Sequence, residues 1–288
     1  MPDLLVLAVI SGAAIFLFAV AIGSNLFVVM VNEQVRCLRE NALSSPMPGG
    51  PAHRSRPEPV SRYLAWAAGD KKPDAGCARI RFHGRMKIGK NGRWMKTGGS
   101  ACFSLAVPDY VWHATITFAP GIWIEACDFY INRTARMHFS LFSFFPLNKV
   151  HGHDIPVPSL FQYLASAPLF PQVLASSDSV SWENINESAA IATIHDGDIP
   201  ARALVRFDGN GRPESITAYD PESPARNHPV PGMFASRFSG YAETGGYHVP
   251  FQVVSEYYLP DGAYACMEYT VNGIDYMPPE PVPMENSG

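Results

Sequence analysis

The chain has 288 residues, 26 acidic against 22 basic, with 47% apolar and 17% charged side chains and 26 prolines. That balance excludes a disordered tail, a collagen-like or coiled-coil rod and a polytopic membrane protein. A formal net charge of −4 offers phosphates no broad positive field, so nucleic acid is not an expected partner.

Residues 4–31 carry no ionisable side chain and are interrupted by Ser11, Ser24 and Asn25 alone among polar residues. This run of 28 residues exceeds the roughly 20 that cross a bilayer as a helix. A cleaved signal peptide is the rival reading, with residues 4–18 as its core and Ala19-Val20-Ala21 as its cleavage site. The Met-Pro-Asp start lacks the usual Lys or Arg, and apolar sequence continues past that site to residue 31, so an uncleaved single-pass anchor in a bacterial cell membrane fits better. Arg36, Arg39, Arg54 and Arg56 follow the span, which places the large domain in the cytoplasm; Glu33 and Glu40 oppose that bias, and the periplasmic side is the alternative.

The organisation read from composition is an anchor with a helical extension over 1–40, a Pro/Gly/Ser-rich linker over 41–59, one domain over 60–276 and a flexible tail over 277–288. Val60, Tyr63, Leu64 and Ala67 have helical spacing and predict a short amphipathic helix. The period then changes to two: Ile80, Phe82, Gly84, Met86 and Ile88 alternate with Arg79, Arg81, His83, Arg85 and Lys87. Asn91-Gly92 predicts a hairpin turn. Further strands are expected at 101–107, 111–118, 122–131 and 137–145, short helices at 160–166 and 171–174, and strands again at 189–195, 199–207, 213–219, 249–259 and 263–271. The fold class expected is mainly β (α+β): a transmembrane helix, then a large curved antiparallel sheet, like a half-barrel, with a few short helices against one face.

Taken in order, these features resemble an uncharacterised bacterial family of membrane-anchored β-rich domains. The residues concerned are the single span, the Pro-rich linker, Arg62-Tyr63-Leu64, Gly84-Arg85-Met86, Trp94, Phe103, Trp112, the helical pair at 160–174, Trp182 and Tyr247-His248-Val249-Pro250. The resemblance covers residues 60–276, and its architecture is similar to that of the LolA-like lipoprotein carriers, whose curved half-barrel with helical plugs shelters acyl chains. The chain departs from the family pattern in having no acidic residue near Ala165-Ser166-Ala167, which counts against a shared carboxylate chemistry.

Among titratable clusters, His151, His153 and Asp154 are the densest, and His151 and His153 point the same way in extended chain, as a shared metal would require. A third ligand would come from His138, Asp128 or Glu256; a solvated surface loop explains the cluster as well. His195-Asp196-Gly197-Asp198 reads as a turn, and Gly89-Lys90-Asn91-Gly92 as a hairpin tip without the phosphate-cradle pattern. Five cysteines show no CxxC or zinc spacing, so Cys77, Cys102, Cys127 and Cys266 read by default as buried thiols, with two bridges as the alternative. No GxSxG, HExxH or SxxK motif is present.

Aromatic residues fall on nearly every predicted strand. The reading they favour is a non-enzymatic, membrane-tethered module that takes a lipid or another apolar small molecule into the concave face by partition and needs no cofactor. Trp112, Phe139, Phe161, Trp182 and Tyr257 are the expected cavity residues, with Arg206 and Glu256 at the rim. The alternatives are an enzyme using His151, His153 and Asp154 on an apolar substrate, and an interaction module with a filled core.

Overall fold

In the computed structural model, which describes residues 2–45, 56–69, 76–150, 156–175, 180–219, 234–259 and 261–277, the apolar N-terminal run belongs to one continuous helix, α1 (Pro2–Ser44). It is long and apolar enough to cross a membrane. A second helix, α2 (Glu58–Ala68), buries Val60, Tyr63, Leu64 and Ala67, the stripe that its spacing predicts. It stops at Gly69, whose positive φ of 54° lets the N–H turn back to the Ala65 carbonyl at 3.1 Å.

Thirteen strands follow: β1 (Cys77–Met86), β2 (Met95–Ser104), β3 (Tyr110–Ala119), β4 (Ile122–Ile131), β5 (Thr134–Leu141), β6 (Phe145–Val150), β7 (Val180–Asn186), β8 (Ala189–Asp196), β9 (Ile199–Phe207), β10 (Pro213–Ala218), β11 (Phe234–Thr244), β12 (Tyr247–Leu259) and β13 (Gly262–Met277). They form one antiparallel sheet in the order β6-β5-β4-β3-β2-β1-β13-β12-β11-β10-β9-β8-β7. The edges β6 and β7 are not paired, so the sheet is curved but unclosed. Curling is the expected response of a strongly twisted sheet with more than about ten strands. Gly99 in β2 assists it, because a Cβ there would come within 2.0 Å of the His113 carbonyl on β3.

Between β6 and β7 lie α3 (Pro156–Ser166), a single 3₁₀ turn (Ala167–Leu169) and α4 (Pro171–Ala175). These and α2 pack on the inner face, in a core that joins Leu160, Phe161, Leu164, Leu169 and Phe170 to alternate residues of β1, β2, β8 and β9. The outer face is polar over β1 and β13, where Arg81 pairs with Asp275 and Arg85 with Glu268. Over β2 to β4 it is apolar and covered by α1: Phe27, Leu38 and Ala42 pack on Cys102, Val111, Cys127 and Phe129.

The predicted fold class is therefore the observed one, with local corrections. Ten strands were expected and thirteen form among the described residues, because β6, β7 and β11 carry weak signals. Residues 137–145, expected as one strand, are broken by Phe142 and Ser143, both at positive φ (53° and 67°) without a Gly, Asn or Pro to announce the turn. The strand expected at 101–107 begins earlier, at Met95, and ends at Ser104. The helix expected to end at residue 40 runs to Ser44 and lies on the sheet, so α1 is attached to the domain before residues 46–55, which lie outside the described residues, begin.

Candidate functional site

The inner helices do not fill the trough. Beside α3, a cavity of about 330 Å³ is bounded by Ile80 and Phe82 of β1, Trp112 of β3, Phe139 of β5, Tyr257 of β12 and Tyr269 of β13. Gln162 and Ser166 of α3 form its opposite wall, and residues 86–89, where β1 turns toward β2, lie at its mouth. Its rings stand in fixed relation: Phe82 stacks on Trp112 at 5.8 Å between centroids and lies 5.3 Å from Tyr269. A volume at the lower end of the ligand-site range, walled by rings with a few polar groups, suits the apolar part of a small molecule.

One carboxyl group projects into this apolar space. Asp128 on β4 accepts a hydrogen bond from the Tyr110 hydroxyl at 2.9 Å, and that hydroxyl also interacts with Ser159. Burial pushes the Asp128 pKa up to about 6, while the Tyr110 hydrogen bond pulls it down. Near neutral pH the carboxyl can thus accept a hydrogen bond as the anion or donate one as the acid. Lys87 marks the mouth, its ammonium 5.2 Å from the Trp94 ring and 5.4 Å from the Tyr264 ring.

Three of the residues expected from sequence, Trp112, Phe139 and Tyr257, line the cavity together. Phe161 sits in the packed core, and Trp182 donates to the Leu174 carbonyl at 3.4 Å beside a different groove. Arg206 is exposed on β9. Glu256 belongs to the other face of β12 from Tyr257 and binds Arg237 at 2.6 Å. The period-two pleat sends neighbours on a strand to opposite faces, so Glu256 could not share the face of Tyr257. Asp128 was readable by the same rule: with Ala126 and Tyr130 it forms the inward set of β4, but its sequence context suggested only a metal ligand.

His151, His153 and Asp154 lie outside the described residues. Their suggested third ligands are dispersed: His138 stacks on Phe129, Asp128 faces the cavity and Glu256 holds Arg237. Among the described residues no group of three or more His, Cys, Asp or Glu side chains is placed to hold a metal. All five cysteines are free, and burial pushes the thiols of Cys77 and Cys127 up to about 12 and that of cavity-lining Cys266 to about 11. Those three stay protonated, as packed thiols do, and are not prepared as thiolate nucleophiles. Glu125 is bound on the outer face by His113 at 2.9 Å and by Thr115. A larger groove of about 1160 Å³ beside Arg56, Arg62 and Trp182 is shallow and open to solvent, unlike the ring-walled cavity.

No curated protein matches the chain. Among solved structures it is similar to a LolA superfamily protein from Nitrosomonas europaea, with a TM-score of 0.39 and 10% identity over 78% of this chain and 93% of that one. It is also similar to a DUF1329 family protein from Desulfovibrio piger (TM-score 0.40, 11% identity, 77% and 94% covered). A third likeness is to a β-barrel-like protein of domain of unknown function DUF1849 from Brucella abortus (TM-score 0.30, 8% identity, 71% and 99% covered). The family described as "Family of unknown function (DUF6544)" matches residues 51–269, the greater part of the chain and nearly all of its β domain, and the protein belongs to that family.

Proposed function

We propose that the protein is a membrane-tethered binding module that holds the apolar part of a lipid, or another apolar small molecule, in the cavity between β1, β3 to β5, β12, β13 and α3. The observation that carries this reading is the cavity itself: about 330 Å³, walled by rings from seven strands, with Asp128 and Tyr110 as an internal polar pair. Burying apolar surface at about 25 cal/mol per Å² supplies the affinity. The Asp128–Tyr110 pair supplies the orientation, since a polar atom of the guest resting there satisfies a carboxyl otherwise held by one hydroxyl. In this reading α1 spans the membrane, and the arginines after it place the domain in the cytoplasm. A reporter fused at residue 288 that functions only on the periplasmic side would reverse the assigned side.

The test uses the full chain in detergent. Native mass spectrometry should show a co-purified apolar adduct, and a fluorescent fatty acid carrying a nitrobenzoxadiazole group should bind saturably. Ser255→Leu, which places a branched side chain in the cavity, should abolish that binding while leaving the chain folded. A chain that shows neither adduct nor saturable binding overturns the proposal.

A further inference from the structure

The turns joining β1 to β2, β3 to β4 and β5 to β6 lie along one rim of the sheet, and residues 86–89 of the first form the cavity mouth. This rim is unusually apolar for a water-exposed edge: Ile88 is 62% exposed, Phe118 49%, Ile122 39%, Phe145 57% and Leu147 47%. It is also fastened to α1. Phe16 meets the rings of Phe142 and Phe144 at 5.2 and 6.0 Å, and the Ser24 hydroxyl bonds that of Ser143 at 3.2 Å. Gly23 is required there, because a Cβ in its place would lie 2.4 Å from that of Phe144. The left-handed Phe142 is held by ring contacts to both Phe16 and Trp123, the type of strained residue that its surroundings must enforce.

This fastening has a consequence for depth. Asp3 bounds the apolar run, so residues 4–15 are the helical residues beyond the first rim contact. At 1.5 Å per residue they reach roughly 18 Å, whereas the hydrocarbon layer is about 30 Å thick. A span starting at Leu4 must therefore continue to about residue 23, past the Phe16 contacts and level with those of Gly23 and Ser24 to the turn at 142–144, and a later start carries the rim deeper.

We infer that the rim formed by the β1–β2, β3–β4 and β5–β6 turns is immersed in the bilayer that α1 crosses, so that the cavity mouth opens to lipid and the guest passes between membrane and cavity without entering water. Ile122, Phe144, Phe145 and Leu147 enter the hydrocarbon. Lys87 and Arg93, on the turn around the mouth, meet lipid phosphates at the headgroup level, beside Lys90, which Asp261 holds at 2.9 Å, and with Trp94 among them at the depth that indole rings favour. The inference rests on α1 spanning the membrane, as proposed above; it does not depend on which guest the cavity takes.

The experiment uses the full chain, with Cys37→Ser and Cys266→Ala, in nanodiscs of phosphatidylethanolamine and phosphatidylglycerol. Single nitroxide labels are placed through Ile88→Cys, Ile122→Cys and Phe145→Cys on the rim, Thr134→Cys on the opposite rim and Leu17→Cys on α1. Oxygen should relax the rim labels and the Leu17 label more than a water-soluble nickel chelate does, and the order should reverse at residue 134. Rim labels that behave like residue 134 while the Leu17 label stays in lipid overturn the immersion alone. A Leu17 label in water overturns the anchor as well, and rim labels shielded from both reagents show a protein partner, which also overturns it. In Ile122→Asp/Phe145→Asp, loading of the fluorescent fatty acid from the nanodisc should slow about tenfold per apolar side chain lost, with affinity in detergent unchanged. Unslowed loading overturns the route, whereas absence of binding in detergent overturns the cavity assignment and leaves the depth measurement standing.

Discussion

Along β8 and β9 the inner face of the sheet lies directly against helices, whereas along β1, β3, β5, β12 and β13 it faces the cavity. The two regions differ in side-chain size. Ala190, Ala192, Ala201 and Ala203 let α3 settle close to β8 and β9, and the space is closed by Leu160, Leu164 and Leu169. On the other side Phe82, Trp112, Phe139, Tyr257 and Tyr269 stand up from the strands and hold the same helix off. Both faces carry apolar residues, so hydrophobicity alone does not distinguish a packed wall from a hollow one; the alternation of small and large residues against a rigid helix does.

Truncation should separate the two regions most clearly. Leu164, fully buried on the filled side, should cost about 3 kcal/mol on Leu164→Ala, because its neighbours cannot collapse into the gap. Phe139→Ala, at the cavity wall, should cost only about 1 kcal/mol, since part of its surface already lacks a packed partner. Denaturant unfolding of the full chain in detergent checks both, and equal losses would erase the distinction between filled and hollow regions.

Asp128 gives the next largest effect. Its folded-state pKa of about 6 lies above the ordinary carboxyl value of 3.8, so the native state binds the extra proton between those values. The stabilisation from the protonated form is present in full below about pH 4 and is lost as pH rises through about 6, a change of about 3 kcal/mol. Asp128→Asn should flatten that part of the stability curve, and a slope unchanged by the substitution would show that the group is solvated. The smaller effects complete the series. Phe139→Ala should weaken fatty-acid binding about tenfold, measured by titration, for the loss of one ring wall. Arg85→Ala, which breaks an exposed pair with Glu268 on the outer face, should change stability by no more than about 0.5 kcal/mol and leave binding unaltered.

Much of this arrangement was legible in the residues. The period-two run through Ile80 and Phe82 gave β1 its inner face, and the spacing of Val60, Tyr63, Leu64 and Ala67 gave α2 its buried stripe. What stayed hidden was set by contacts remote in sequence. β11 (FASRFSGYAET) is a strand because β10 and β12 pair with it, not because its own residues favour one. The turn at Phe142 is imposed by α1, more than a hundred residues earlier. Of the expected cavity residues, Trp112, Phe139 and Tyr257 line the cavity and Phe161 on α3 packs in the core: an aromatic residue says that something apolar lies beside it, and only the position of α3 decides whether that is a packed side chain or a cavity.

The unclosed sheet has one more property. Asp196, at the turn from β8 to β9, accepts a hydrogen bond from Tyr130 at 2.8 Å and one from Arg133 at 3.1 Å, joining strands that lie far apart in the sheet order. The circumference is thus completed by side chains where a true barrel would use a ladder of amides. Such a clasp can lengthen or let go without any strand losing its neighbour, so the girth of the trough is adjustable at the cost of a few polar contacts rather than of its backbone pairing.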